Sequence, residues 1–389
     1  MRRLLALVGA IVLVDTIFYA ALTPLLPRYA DELGLSKSGA GLLTAMFATG
    51  VLVGGVPAGL AASWFGVKRT VLGGLSGMVA TTVLFGFAES AWLLEVARFL
   101  QGVSSSCSWT AALAWLVADA PAGSRGRLIG SAMGAALFGA LLGPVAGGVA
   151  SFAGTRLTFS VLAALGLALA AWAARTPSLH EPRRQPVRDL VHAILNRRIA
   201  VAVWFVTLPA IAFGVINVLG PLRLDALGVG AAGIGATWLA SAGVEATAAP
   251  LVGHLSDRRG RFAPLRAGLG GTAVVMVALA VLDVRWWMLV PTIVVAGFVV
   301  GVFWAPAMSL LSDEADATGL DYAFAFTLIN MAWAPAQIAG SGGGAALAQA
   351  TTDSVPYLGL AGACLLTLVL VWRSSSSSTT RSATLSSTP

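Results

Sequence analysis

Unbroken apolar runs about as long as a bilayer is thick recur along this chain, and that recurrence restricts its fold more than any other feature. The hydrocarbon core of a membrane is about 30 Å thick, which a helix crosses in roughly 20 residues. Twelve such runs occur, at 4–26, 40–62, 70–88, 92–118, 128–152, 157–174, 199–222, 231–252, 265–282, 287–311, 322–348 and 355–371. Barrel strands would alternate apolar and polar residues over about ten positions, whereas these runs are continuous and rich in Ala, Leu and Gly. Charged residues make up only 11% of the chain, against roughly 25% in a soluble domain. A water-facing surface cannot be built from that, so the expected fold is an all-α membrane protein with twelve transmembrane helices. The opening Met1-Arg2-Arg3 resembles a signal peptide, but the run behind it is too long and carries Asp15, so it is assigned as the first span.

The basic residues orient these spans. If both termini share one side, that side holds 18 of the 24 Lys and Arg, the opposite side holds Arg28, Lys37, Arg156, Arg223 and Arg285, and Arg98 lies within a span. The positive-inside rule then makes both termini cytoplasmic. The +7 net charge is accounted for by topology and by an anionic lipid surface, with no need of nucleic acid.

Residues 175–198, with Pro177, Pro182, Pro186 and several arginines, form the longest polar break and divide the spans six and six. The expected domains are a six-helix bundle at 1–174, a cytoplasmic linker at 175–198, a second bundle at 199–372 and a disordered Ser/Thr-rich tail at 373–389. An offset of 194 residues superimposes the two bundles without a gap. It aligns Pro27 with Pro221, Asp31 with Asp225, Gly34 with Gly228, Gly59 with Gly253, Gly66 with Gly260, Trp92 with Trp286 and Asp119 with Asp313. Two pseudo-symmetric halves explain this most simply, and parallel repeats are an architecture of secondary transporters.

Several motifs share one resemblance. After the eighth span stands Gly253-His254-Leu255-Ser256-Asp257-Arg258-Arg259-Gly260-Arg261; its first-half counterpart keeps Gly59, Gly66, Lys68 and Arg69 but has Ser63 in place of the acid. The fourth span carries Arg98-Phe99-Leu100-Gln101-Gly102, and the fifth carries Gly139, Gly143-Pro144 and Gly147-Gly148. Over essentially the whole chain this resembles the major facilitator superfamily, most closely its twelve-span drug:proton antiporter branch. The resemblance implies the major facilitator fold and proton-coupled efflux by alternating access. It also implies gating roles for Asp257, Arg258, Gly260, Arg261, Asp119, Asp313, Gly143, Pro144, Gly147 and Gly148. Simple topology retention competes for the charged loop, and plain helix packing for the glycines. The family usually has Asp where Ser63 stands, which weakens the first-half loop.

Ionisable groups inside a bilayer are costly and usually face a cavity. Asp15 lies in the middle of the first span with Tyr19 one turn on, and is the leading candidate for proton or cation binding; a hydrogen-bonded structural carboxylate is the competing reading. Glu245 lies in the middle of the eighth span, seven residues after Trp238, and its repeat counterpart is Val51, so it is a half-specific second candidate that, with Asp15, would attract a cation and compete with protons. Arg98, flanked by Glu95 and Gln101, either relays protons or pairs with Glu95. Asn330, Trp333, Gln337 and Ser341 share one face of the eleventh span, which lines a cavity or forms a polar seam. Asn217 joins them as a candidate substrate contact.

The remaining residue types narrow the function. Cys107 and Cys364 both fall within spans and make no metal-ligand cluster. No phosphate-binding Gly-x-x-x-x-Gly-Lys-Ser/Thr loop and no nucleophile-base set occurs, so neither ATP-driven transport nor an enzyme is expected. The expected protein is a monomer in the plasma membrane that needs no cofactor. It would use the proton gradient to export small hydrophobic or cationic compounds. The rivals are proton-coupled uptake of a sugar or other metabolite, and a receptor or assembly factor without flux.

Overall fold

The chain is described by a computed structural model covering residues 1–120, 125–178, 196–259, 262–282, 285–317 and 322–385. Among the described residues the secondary structure is helical throughout. In chain order the helices are α1 (Arg2–Ala20), α2 (Leu26–Glu32), α3 (Lys37–Phe65), α4 (Val67–Gly86), α5 (Ala91–Ala118), α6 (Arg125–Ala153) and α7 (Thr155–Arg175). They continue as α8 (Arg197–Ala226), α9 (Ala231–Arg259), α10 (Phe262–Val281), α11 (Trp286–Ala317), α12 (Tyr322–Ile338), α13 (Gly344–Ala350) and α14 (Ser354–Leu385).

The apolar runs account for these helices, and local chemistry sets their ends. The first run does not form one straight helix: α1 stops at Ala20, a 3-10 turn spans Thr23–Leu25, and α2 follows. Pro24 and Pro27 lack the N–H groups that would bond Ala20 and Thr23 in a continuous helix. Ser36 and Ser90 cap α3 and α5 by accepting from the Gly39 and Leu93 amides. The eleventh run is likewise interrupted, passing through a π-helical turn at Ala339–Gly343 between α12 and α13. At the other end of the chain, α14 extends to Leu385. Adding residues to an existing helix costs far less than nucleating one.

Among the described residues, seven helical stretches are long and apolar enough to cross a membrane by length and composition: Arg2–Glu32, Lys37–Phe65, Leu128–Ala153, Thr155–Arg175, Arg197–Ala226, Ala263–Val281 and Ser354–Trp372. Helix α5 falls short because Glu95, Arg98, Gln101 and a run of serines lie along it. Those groups are buried inside the bundle, apart from Glu95, which is half-buried.

Packing follows the repeat. Helices α1 with α6, α3 with α5 and α4 with α7 pack together in the first part of the chain; α8 with α12, α9 with α11 and α10 with α14 do so in the second. The two sets meet along α3 against α12 and α6 against α9. One large apolar cluster is built almost wholly from residues 4–173, and a second from residues 199–364. A small third cluster of Phe47, Ala48, Val51 and Ala334, flanked by Tyr19 and Trp333, lies where the sets touch. The repeat also has a backbone cause at the ends of α2 and α8. Gly34 and Gly228 have φ of 62° and 84°. The amides after them bond back identically, Leu35 to Ala30 and Val229 to Leu224. This is a glycine-terminated helix cap at each site, favoured because only glycine adopts that φ without strain.

Candidate functional site

The site lies where α1, α3 and α5 of the first set face α8, α9 and α12 of the second. A close helix crossing holds its first wall in place. A Cβ on Gly102 would overlap the Phe47 carbonyl, and one on Gly50 would overlap the Phe99 carbonyl, so α3 and α5 touch backbone to backbone. Gly102 closes the Arg98-x-x-Gln101-Gly102 pattern, and the close approach it permits puts the Arg98 guanidinium 4.7 Å from the centre of the Phe47 ring.

Arg98 is 1% exposed. It donates to the Phe18 carbonyl at 3.2 Å, to Gln101 Oε1 at 3.1 Å and to the Tyr19 carbonyl at 3.4 Å. Gln101 in turn donates to Thr82 at 3.2 Å. Of the two readings of Arg98, the pairing with Glu95 does not form among the described residues. Helix α1 ends at Ala20, leaving its last carbonyls without intrahelical donors, and the guanidinium turns toward them while half-buried Glu95 lies one turn away.

Asp15 is 6% exposed and bonded across the α1–α5 seam. Ser105 Oγ donates to its carboxylate at 2.7 Å and Ser108 Oγ at 3.3 Å. The polar stripe of α5 therefore serves both charged groups, the serines holding Asp15 and Arg98 capping the end of α1. Tyr19, one turn on from Asp15, points across to the second set. Its hydroxyl accepts from Gln337 Nε2 at 2.6 Å, and its ring meets Phe47 at 5.2 Å and Trp333 at 5.6 Å. Close by, Trp238 Nε1 donates to Asn217 Oδ1 at 2.8 Å. Asn330 donates to Thr110 of α5 at 3.2 Å, a second direct bond between the two sets. This face of α12 makes polar contacts across the two sets, and Gln337 Oε1 on it is buried without a partner among the described residues.

Glu245 lies elsewhere. It shares the face of α9 that carries Ser241, packed on the glycines of α11: a Cβ on Gly301 would come within 2.5 to 2.8 Å of Glu245 Cγ, Cδ and Oε1. The carboxyl fits only because Gly301 lacks a side chain, and it has no hydrogen-bond partner among the described residues. Asp15 and Glu245 thus have different neighbours. They are held within different helix sets by α5 and α11.

Two of the motif glycines of α6 make close helix contacts. Cβ atoms on Gly143 and Gly147 would overlap Ala20 and the Ala21 carbonyl, so this face of α6 is pressed onto α1, while Gly148 faces open space. The Pro144 carbonyl lies close against Gly235 of α9. Asp119 accepts from Trp115 Nε1 at 3.1 Å. Ser63, replacing the usual acid of the loop, is 5% exposed and its hydroxyl is unpartnered. Gly260 and Arg261 lie outside the described residues, as do the side chains of Asp257, Arg258 and Asp313.

Phe47 and Thr110 are contacts that sequence reasoning missed. A phenylalanine or threonine in an apolar span carries no signal of its own. The serine run 104–106 did carry one, since it is an unusual concentration of hydroxyls inside a span.

The Major Facilitator Superfamily profile matches residues 8–340. The MFS-type transporter ppzB of Metarhizium rileyi is 36% identical over 104 residues, 25% of this chain and 22% of that one. The probable vesicular acetylcholine transporter-B of Danio rerio is 33% identical over 178 residues, 43% of this chain and 36% of that one. The chain thus matches only 22% and 36% of the length of these curated relatives. Among solved structures, the xylose transporter XylE from E. coli superimposes with a TM-score of 0.76 at 16% identity, covering 95% of this chain and 97% of that one. A D-xylose-proton symporter does so with a TM-score of 0.75, also at 16% identity and with the same coverage. Identity that low is a likeness of fold alone. Matched by the profile over most of its length, the chain belongs to the Major Facilitator Superfamily, a family of membrane transporters and not of enzymes.

Proposed function

We propose that this chain is a twelve-span, proton-coupled antiporter of the drug:proton branch, exporting small hydrophobic or cationic compounds by rocking of its two six-helix halves. The observation that carries this reading is Asp15, a carboxyl in the middle of a span whose partners are the two serines of α5. The ionised carboxylate accepts from both hydroxyls; a protonated carboxyl turns one of its oxygens into a donor. Proton binding therefore changes the seam between α1 and α5, which also carries the Arg98 bonds to the Phe18 and Tyr19 carbonyls. Tyr19 lies one turn from Asp15 and bonds directly to the other half through Gln337. A proton at Asp15 is thereby linked to the contact that must break when the halves rock apart.

The orientation is both termini in the cytoplasm of a plasma-membrane protein, with Asp257, Arg258, Arg261, Asp119 and Asp313 forming charge clusters that close the cytoplasmic side. The functional unit is a monomer with domains at 1–174 and 199–372. A proton moving inward releases about 2.3 kcal/mol per 100 mV, enough for a roughly forty- to fifty-fold substrate gradient.

The test is proton movement in proteoliposomes on addition of lipophilic compounds and polar metabolites, comparing the native chain with Asp15→Asn. Substrate-triggered proton release from acid-loaded vesicles, lost in the variant, is expected. Uptake of a metabolite together with protons would replace this reading with symport.

A further inference from the structure

We infer that the compound bound at the inter-half seam is uncharged and carries an adjacent hydrogen-bond donor and acceptor, as an amide does, rather than being a cation. This rests on the reading of the chain as a transporter that binds its substrate between its halves, and it narrows the substrate class. Electrostatics give the first reason. The two mid-span acids are held off the Tyr19 seam: both Asp15 oxygens face serines of α5, and Glu245 lies against Gly301 of α11; the acids that do meet between the halves, Asp31 and Glu32 with Asp225, line a separate pocket at α2 together with Arg28. Two of the aromatic rings at the seam already face a cation. The Arg98 guanidinium lies 4.7 Å from the Phe47 ring centre and 6.0 Å from that of Tyr19, and it has no acid partner among the described residues. A second positive charge at those rings would face an uncompensated guanidinium in a water-poor interior, where like charges repel strongly.

Hydrogen bonding gives the second. Trp238 donates to Asn217 Oδ1, which leaves the Asn217 amide N–H groups available to another acceptor. Gln337 Nε2 donates to the Tyr19 hydroxyl oxygen. With its oxygen accepting, Tyr19 has its own O–H free to donate. Gln337 Oε1, on a residue that is 0% exposed, has no donor. A buried unpartnered carbonyl is costly, and here it lies beside an available O–H. A ligand amide answers both at once, its C=O accepting from Tyr19 and its N–H donating to Gln337, while its apolar body replaces the Tyr19–Trp333 edge contact.

The experiment is equilibrium binding by calorimetry to the purified full chain in zwitterionic nanodiscs, with no proton gradient. The probes are 4-tert-butylacetanilide and its 4-trimethylammonio isostere, which share shape and amide and differ in charge. The neutral compound is expected to bind at least tenfold more tightly. Tyr19→Phe and Gln337→Leu should each weaken it severalfold, and Arg98→Leu should narrow the gap between the two compounds. Equal or tighter binding of the ammonium compound overturns the inference, as does binding of neither. Because no gradient is present, a preference for the neutral compound stands even if the vesicle assay shows no antiport, and tight ammonium binding leaves antiport untouched.

Discussion

Asp15 and Glu245 are the same kind of group at the same kind of depth, a carboxyl midway along an apolar helix, yet their surroundings are opposite. Asp15 is held by two hydroxyls from a neighbouring helix. Glu245 is given room by a missing side chain, since only Gly301 lets it fit, and no described group bonds it. The first arrangement ties charge to helix position: whatever changes the carboxyl changes the contact between α1 and α5. The second tolerates the carboxyl without joining it to anything. A carboxyl in a membrane thus carries a signal only where its partners lie on an element that moves.

The sharpest way to break this contrast is to neutralise each acid. Asp15→Asn should cut substrate-triggered proton release by about 10²-fold, the scale for losing a group that handles the transferred proton, while thermal unfolding shows a folded protein. Next in size is Gly301→Val, whose side chain would collide with Glu245 and lower stability by about 1–3 kcal/mol. Glu245→Ala in the same chain should restore part of that loss in a double-mutant cycle. If it restores nothing, Glu245 is not what Gly301 accommodates.

Smaller again is Ser105→Ala, which removes the 2.7 Å bond to Asp15 and should cost about 1 kcal/mol in denaturant unfolding. Ser108→Ala should cost less, because that hydroxyl already shares itself with the Ser104 and Ser105 carbonyls and lies farther from Asp15. The smallest effect is expected for Glu245→Gln, which keeps the shape and loses no partner: stability within about 0.5 kcal/mol and proton release reduced far less than in Asp15→Asn. Equal losses in the two neutralised variants would erase the distinction.

Much of the site was legible before any coordinates. Asp15, Arg98 and Gln101 announced themselves because charge and amide groups are rare in apolar runs. The α12 stripe of Asn330, Trp333 and Gln337 followed from helical spacing. What spacing could not say is which neighbour each group would meet. Glu95 was the near partner for Arg98 along the chain, but the carbonyls at the end of α1 won, because a helix terminus supplies acceptors that no residue type reveals. Phe47 entered the site through Gly50 and Gly102, whose closeness belongs to two helices and not to either one.

By itself the sequence determined the membrane class, the helical runs and the repeat, including the matched caps at Gly34 and Gly228. Each of these is a local matter: apolar length against bilayer thickness, and a backbone angle that only glycine takes without strain. Only the tertiary structure decided that Asp15 meets α5 while Glu245 meets α11, that Gly143 and Gly147 seat α6 on α1, and that the seam around Tyr19 is lined by neutral amides and rings. Those outcomes depend on which helix faces lie together, and in a chain whose helices are nearly all apolar, hydrophobicity cannot choose among faces; close backbone contact and buried hydrogen bonds do.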